Sequence, residues 1–134
     1  MTTLPDELRY SSDHLWARSL SDSDRVRVGL TDFAQESLGD IIAITPPNLA
    51  ERVQAGQACG EVESTKSAND VMAPVSGTVV TVNTALAEQP ELINSDPYGD
   101  GWIYDVELPA GQADIALNEL MSSDRYRTLI GGTP

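Results

Sequence analysis

Gly60-Glu61-Val62-Glu63-Ser64-Thr65-Lys66-Ser67-Ala68-Asn69-Asp70-Val71-Met72-Ala73-Pro74-Val75-Ser76-Gly77 is the stretch around which the chain is organised. Two short β-type runs, Cys59 to Glu63 and Asn69 to Ala73, flank Lys66, and Pro74-Val75-Ser76-Gly77 closes the second. Small polar residues (Ser64, Thr65, Ser67) fill the gap, as in a tight connection between paired strands. The pattern predicts a hairpin with Lys66 exposed at its tip. Lys66 is also the only lysine in 134 residues, the other seven basic residues being arginines. Lysine is ordinarily among the commonest residues of soluble proteins. A bias toward arginine accounts for the lysines missing elsewhere, but not for the one retained here.

An exposed lysine is most often a solubilising charge. Here its uniqueness and its acidic neighbours Glu61, Glu63 and Asp70 weigh against that. Carboxylates nearby favour the ammonium form, whereas a lysine acting as nucleophile needs burial or a neighbouring cation to strip its proton. Lys66 is therefore poorly placed to do chemistry itself and well placed to be presented to an enzyme that acylates it.

Outward from the hairpin, Val26, Val28 and Leu30 alternate with polar or small residues in a half-buried strand after the turn signal Ser21-Asp22-Ser23-Asp24. Thr31 is a helix N-cap and Gly39 a stop, predicting a short helix over Asp32–Leu38 that buries Phe33 and Leu38. Ile41-Ile42-Ala43-Ile44 predicts a strand buried on both faces, ended by Pro46-Pro47. A linker, 48–57, leads to the hairpin, and Thr78-Val79-Val80-Thr81-Val82 is a β-branched strand leading out of it. Residues 83–101 are predicted as loop with one helical turn at 85–89. In Trp102–Leu108, Trp102, Tyr104, Val106 and Leu108 share one face. After Pro109-Ala110-Gly111 two helices follow, at about 114–121 and from Ser122 or Ser123 onward, the second carrying Tyr126, Leu129 and Ile130. Ala-Gly-Gln-Ala occurs at both 55–58 and 110–113. Short strands at close spacing with helices at the end give a mainly β fold, a small sandwich or flattened barrel.

The length suits one domain spanning 1–134, with its hairpin at about 59–77 and a helical segment at about 112–131. No apolar run approaches the ~20 residues of a membrane helix. The first residues lack the features of a signal or transit peptide, which points to the cytoplasm. A net charge of −13 argues against nucleic acid or an anionic membrane as partner and suits brief encounters with basic protein surfaces. Cys59 is the only cysteine and His14 the only histidine, so neither a disulfide nor a metal site is expected, and His14 is predicted to be a packed structural residue. No constellation looks catalytic, and the chain is expected to be a carrier rather than an enzyme.

The hairpin segment Glu63-Ser64-Thr65-Lys66-Ser67, followed by Asp70 and Ala73-Pro74-Val75-Ser76-Gly77, resembles the lipoylation hairpin of the glycine cleavage system H proteins. Val28-Gly29-Leu30-Thr31-Asp32-Phe33-Ala34-Gln35 with Leu38-Gly39-Asp40 resembles a second segment of that family, and Leu92-Ile93-Asn94-Ser95-Asp96-Pro97-Tyr98 with Gly101-Trp102-Ile103 a third. The three stand in the family's order over roughly residues 8–108.

The resemblance implies the hybrid barrel-sandwich of lipoyl and biotinyl domains, with a short internal helix and C-terminal helices. It implies lipoic acid joined covalently to Lys66, with Glu63, Ser64, Thr65, Ser67 and Asp70 recognised by lipoyl-attaching enzymes. It also implies service to glycine decarboxylase, aminomethyltransferase and dihydrolipoyl dehydrogenase in glycine catabolism and one-carbon metabolism. His14, Leu15 and Asp70 are expected to line the cleft where a loaded arm shelters. There the chain departs from the family, which usually reads His-Glu-Trp where this sequence has His14-Leu15-Trp16. Either Asp13 or Asp70, with Asp70 favoured, then receives the cargo's amine in part, or the loaded arm is poorly sheltered. Three alternatives stay open from the sequence: a lipoyl donor for other complexes, a biotinyl carrier, and an unmodified interaction domain.

Overall fold

Val26 and Val28 are buried side by side on one strand while Arg25 stays exposed, so the alternation in the sequence becomes a sheet with a packed face. The structure, a computed structural model, describes residues 3–20 and 24–131; of the turn predicted over 21–24, residues 21–23 lie outside the described residues. The elements run β1 Arg9–Tyr10, β2 Leu15–Ser19, β3 Arg25–Leu30, α1 Asp32–Leu38, β4 Ile41–Thr45, β5 Arg52–Val53, β6 Ala58–Ser64, β7 Ala68–Met72 and β8 Gly77–Val82. A 3₁₀ turn at Thr84–Ala87, α2 Leu92–Ser95, β9 Tyr104–Glu107, α3 Ala113–Asn118 and α4 Ser123–Gly131 complete the chain. The strands form a six-stranded sheet, β1-β2-β3-β9-β8-β5, and a three-stranded one, β4-β6-β7, antiparallel throughout. This is the mainly β barrel-sandwich hybrid that the sequence led us to expect, with its internal helix and C-terminal helices.

Two hydrophobic clusters hold it together. The larger joins both sheets through Val28, Val62, Val71, Val79 and Val106. The smaller covers the other face of the large sheet with Leu4, Leu8, Tyr10, Trp16 and Tyr126. Strand β2 is therefore buried on both sides, Leu15 and Ala17 in the larger cluster and Trp16 in the smaller. Tyr10 and Tyr126 stack with ring centres 4.9 Å apart, which ties α4 onto β1.

Several sequence expectations need correction. Ile41–Ile44 is not buried on both faces: β4 is an edge strand, and Ile42 is exposed while only Ile41 is fully buried. Phe33 and Leu38 are half-buried, and Ala34 is the residue α1 buries. The expected linker at 48–57 contains β5, which pairs Arg52 with Thr78. Tyr104, Val106 and Leu108 share the predicted face in the larger cluster, but Trp102 packs against the smaller one. Asp105 is buried too, receiving a two-pronged hydrogen bond from Arg27 at 2.9 and 3.1 Å. The Arg27 guanidinium in turn lies 3.9 Å over Trp102. Of the three apolar residues assigned to the last helix, Tyr126 is buried and Leu129 is exposed. The repeated tetrapeptide makes one turn twice, with Gly56 and Gly111 at φ 83° and 79°, but the first leads into a strand and the second into a helix.

Candidate functional site

The hairpin turn is built by Ser64. Its N–H donates to the Ser67 carbonyl at 2.8 Å, and its hydroxyl accepts from the N–H groups of Lys66 and Ser67, both at 3.2 Å. A third restraint comes from outside the hairpin, where Thr65 N–H donates to the Asp40 carbonyl at 3.1 Å. Ser64 is buried and Thr65, Lys66 and Ser67 are exposed, so Ser64 shapes the tip without presenting itself on it. Glu61, Glu63 and Asp70 are exposed, and Glu61 faces Asp70 directly across the β6–β7 ladder. Like charges opposite each other cost stability. The strand pair carrying Lys66 therefore keeps an acidic face at some expense.

Lys66 Nζ donates to the Ser37 carbonyl at 3.5 Å. That carbonyl belongs to the last turn of α1, which has no basic residue of its own, and a cation there complements the helix dipole. Thr31 caps the other end, its hydroxyl accepting from Ala34 N–H at 3.1 Å, so the predicted limits of α1 are the observed ones.

Ser37 also marks the mouth of a cleft of about 370 Å³ between α1 and the hairpin. Phe33, Leu38, Val62 and Met72 give it apolar walls, and Asp13, His14 and Asp70 give it polar ones. Asp13, His14 and Asp70 thus share one cleft, and Lys66 reaches Ser37, another of its walls. A larger surface groove, about 590 Å³ between α3 and Pro74–Ser76, has none of the tip residues in its walls.

Leu15 is not a wall of the cleft, contrary to the sequence expectation. It is 1% exposed in the larger core cluster and pairs with Leu30 on the β2–β3 ladder. The physical reason is His14, whose φ of 70° turns the chain just before β2 begins. Alternation of an extended strand does not carry across that turn, so Asp13 reaches the cleft and Leu15 does not. Leu15→Ala is accordingly expected to cost about 3 kcal/mol in urea unfolding, as for other buried leucines. A loss below about 0.5 kcal/mol would mean that Leu15 is not core.

The His14 ring packs 5.0 Å from Phe33, and its Nδ1 lies 2.8 Å from the Tyr126 hydroxyl. Burial holds its pKa below the usual value, with the Asp13 carboxylate acting in the opposite direction. The unfolded chain therefore binds a proton more readily than the fold does. This contribution to stability is complete above about pH 6.5, the unfolded value, and is lost as pH falls from there through the lower folded value. The urea midpoint of the native chain should decline more steeply from pH 7.5 to 5.5 than that of His14→Asn. Parallel declines would remove His14 as the source.

Comparison with known proteins closes the question of kinship. The family model described as glycine cleavage H-protein matches residues 8–132. The chain belongs to the glycine cleavage H-protein family. It is 48% identical over 128 residues to the glycine cleavage system H protein of Mycobacterium avium (strain 104), covering 95% of this chain and 96% of that one. The corresponding protein of Mycolicibacterium smegmatis is 47% identical over 130 residues, covering 97% and 98%. A crystal structure of a glycine cleavage system H protein from Mycobacterium marinum superposes with a TM-score of 0.84 at 41% identity, covering 96% of this chain and 99% of that one.

Within this family fold, two residues of the site escaped the sequence. Tyr126 and Thr31 meet at 2.8 Å behind His14, from positions 95 residues apart. No local spacing connects them. No helix among the described residues is long and apolar enough to cross a membrane.

Proposed function

We propose that the chain is the lipoyl carrier of a glycine cleavage system, a single carrier domain with Lys66 as the attachment residue. The observation that carries this is the placement of the chain's one ε-amine on a braced, exposed hairpin tip at the mouth of a cleft. The site suits the group. Acylation removes the charge of Lys66 but leaves an N–H, so the Ser37 carbonyl keeps a donor. Joined through this amide, lipoate supplies a redox-active dithiolane at the end of a flexible arm.

The protein's own part is to present, orient and shelter. Ser64 and the Asp40 carbonyl hold the turn that offers Lys66 to an attaching enzyme, and Glu63 and Asp70 give that enzyme an acidic face. Phe33, Leu38, Val62 and Met72 exclude water from one end of the site. Asp13 and Asp70 supply carboxylates for a protonated amine, which is costly to move out of water without such a partner. In this reading the chain serves glycine decarboxylase, aminomethyltransferase and dihydrolipoyl dehydrogenase in turn and catalyses none of the steps. Intact-mass and peptide analysis of protein purified from its own source tests the proposal. One lipoyl adduct on the peptide containing Lys66 is expected, and a biotinyl adduct or none at all would reject it.

A further inference from the structure

The hydrogen bonds behind His14 leave room for only one order of protons. Thr31 is fully buried, and its Oγ1 already accepts from Ala34 N–H. Among the described residues its own O–H has a single partner in reach, the Tyr126 hydroxyl at 2.8 Å. Tyr126 is also fully buried, and with Thr31 donating to it, its O–H is left to donate to His14 Nδ1 at 2.8 Å. Nδ1 must then be the bare nitrogen and Nε2 the protonated one. The reverse order would strand the Thr31 hydroxyl hydrogen where neither protein nor water can receive it.

Nε2 lies on the other side of the ring and has no hydrogen-bond partner among the described residues. Every buried side-chain nitrogen and oxygen among them is paired, so Nε2 is open, and His14 is a wall of the cleft. Its low pKa fits the same picture, because a protonated ring would have to reverse the chain of donors behind it. His14, a wall of the cleft, thus carries an N–H donor of fixed direction, unlike the rotatable hydroxyls of Ser12 and Ser37 beside it.

We propose that Thr31 and Tyr126 lock His14 as an Nε2–H donor into the cleft, and that this donor receives a sulfur of the arm borne on Lys66. The choice of acceptor rests on the carrier reading above; the tautomer does not. Ionised Asp13 and Asp70 only accept, so they suit the donors of the cargo. At the free end of a lipoyl arm the remaining acceptors are its sulfurs, best of all as thiolate. His14 is then a positioning residue that orients the docked end without entering the chemistry.

Because His14 is the only histidine, its ring can be followed without ambiguity in long-range ¹H–¹⁵N spectra of the labelled chain. In the unmodified protein at neutral pH, the proton is expected on Nε2 alone. Tyr126→Phe keeps the stacked ring but removes the lock and should give a mixture of tautomers, whereas Thr31→Ser should keep the native signal. In the lipoylated protein with its dithiol reduced, the Nε2 resonance should shift and its proton should exchange more slowly. Lys66→Arg, carried through the same treatment, should retain the unmodified spectrum. A proton on Nδ1 in the native protein overturns the lock, and that spectrum decides even where a variant fails to fold. An Nε2 signal unchanged by lipoylation overturns the contact with sulfur. Failure of the carrier reading itself would show separately, as the absence of a lipoyl adduct by mass.

Discussion

Arginine in place of Lys66 is expected to abolish lipoyl attachment completely while leaving the stability of the fold within about 0.5 kcal/mol. The first half follows from counting, because no second lysine exists to take the acyl group and a guanidinium stays protonated. The second follows from the surroundings of the residue. Lys66 is exposed, and among the described residues its side chain makes one long hydrogen bond, to the Ser37 carbonyl at 3.5 Å. Arginine keeps a positive charge over the end of α1. The turn itself depends on Ser64, Ser67 and Asp40, none of which changes. Co-expression with an attaching enzyme, followed by intact mass and a urea titration, checks both halves. A lipoyl-sized adduct on the arginine variant would sink the assignment of Lys66.

A large loss of stability is expected from a single methyl group at Gly29. Gly29 faces Trp16 across the β2–β3 ladder, and a Cβ there would lie 2.6–2.7 Å from three atoms of the indole. The indole has nowhere to go. It is fully buried, and its N–H donates to the Pro97 carbonyl at 2.9 Å. Gly29→Ala must therefore displace the ring, break that hydrogen bond or spread the strands. Overpacking together with an orphaned buried donor puts the cost at about 3 kcal/mol, or roughly 10 °C in Tm. A double-mutant cycle identifies the cause: in a Trp16→Leu background the alanine should cost far less. Equal costs in both backgrounds would show that the clash is not with Trp16.

How far the sequence carries depends on whether a signal is local. The limits of α1 were legible because Thr31 and Gly39 act within one helical turn. The hairpin was legible because β6 and β7 are neighbours in the chain and their pairing closes on itself. Ile41–Ile44 misled because an apolar run states a preference for burial, not whether a neighbour is present. Among the described residues, β4 has a paired strand on one side only. Leu15 misled because its place in the cleft came from the resemblance alone; in the structure it follows the positive φ of His14 and packs in the core. His14 and Asp70 were expected together in the cleft only through the resemblance; residue types alone do not show it, because their meeting depends on how α1 sits against the hairpin. The bond between the hydroxyls of Thr31 and Tyr126 had no signal, since it joins a helix cap to a residue 95 positions away. The kinship was legible earliest, since three segments matched in order are improbable by chance.

The bond from Thr65 N–H to the Asp40 carbonyl has a consequence for competition between partners. It fastens the root of any group carried on Lys66 to the body of the protein, so the tether point does not wander. A tethered group on a short flexible link meets a nearby site at an effective concentration on the order of millimolar. The cleft therefore enjoys a standing local advantage over any enzyme arriving from solution. An enzyme that is to take up the cargo must first bind the protein surface, turning its own active site into a second local destination. Handover then becomes a contest between two intramolecular equilibria. Loosening the Asp40 anchor would tilt that contest without touching a residue in either site.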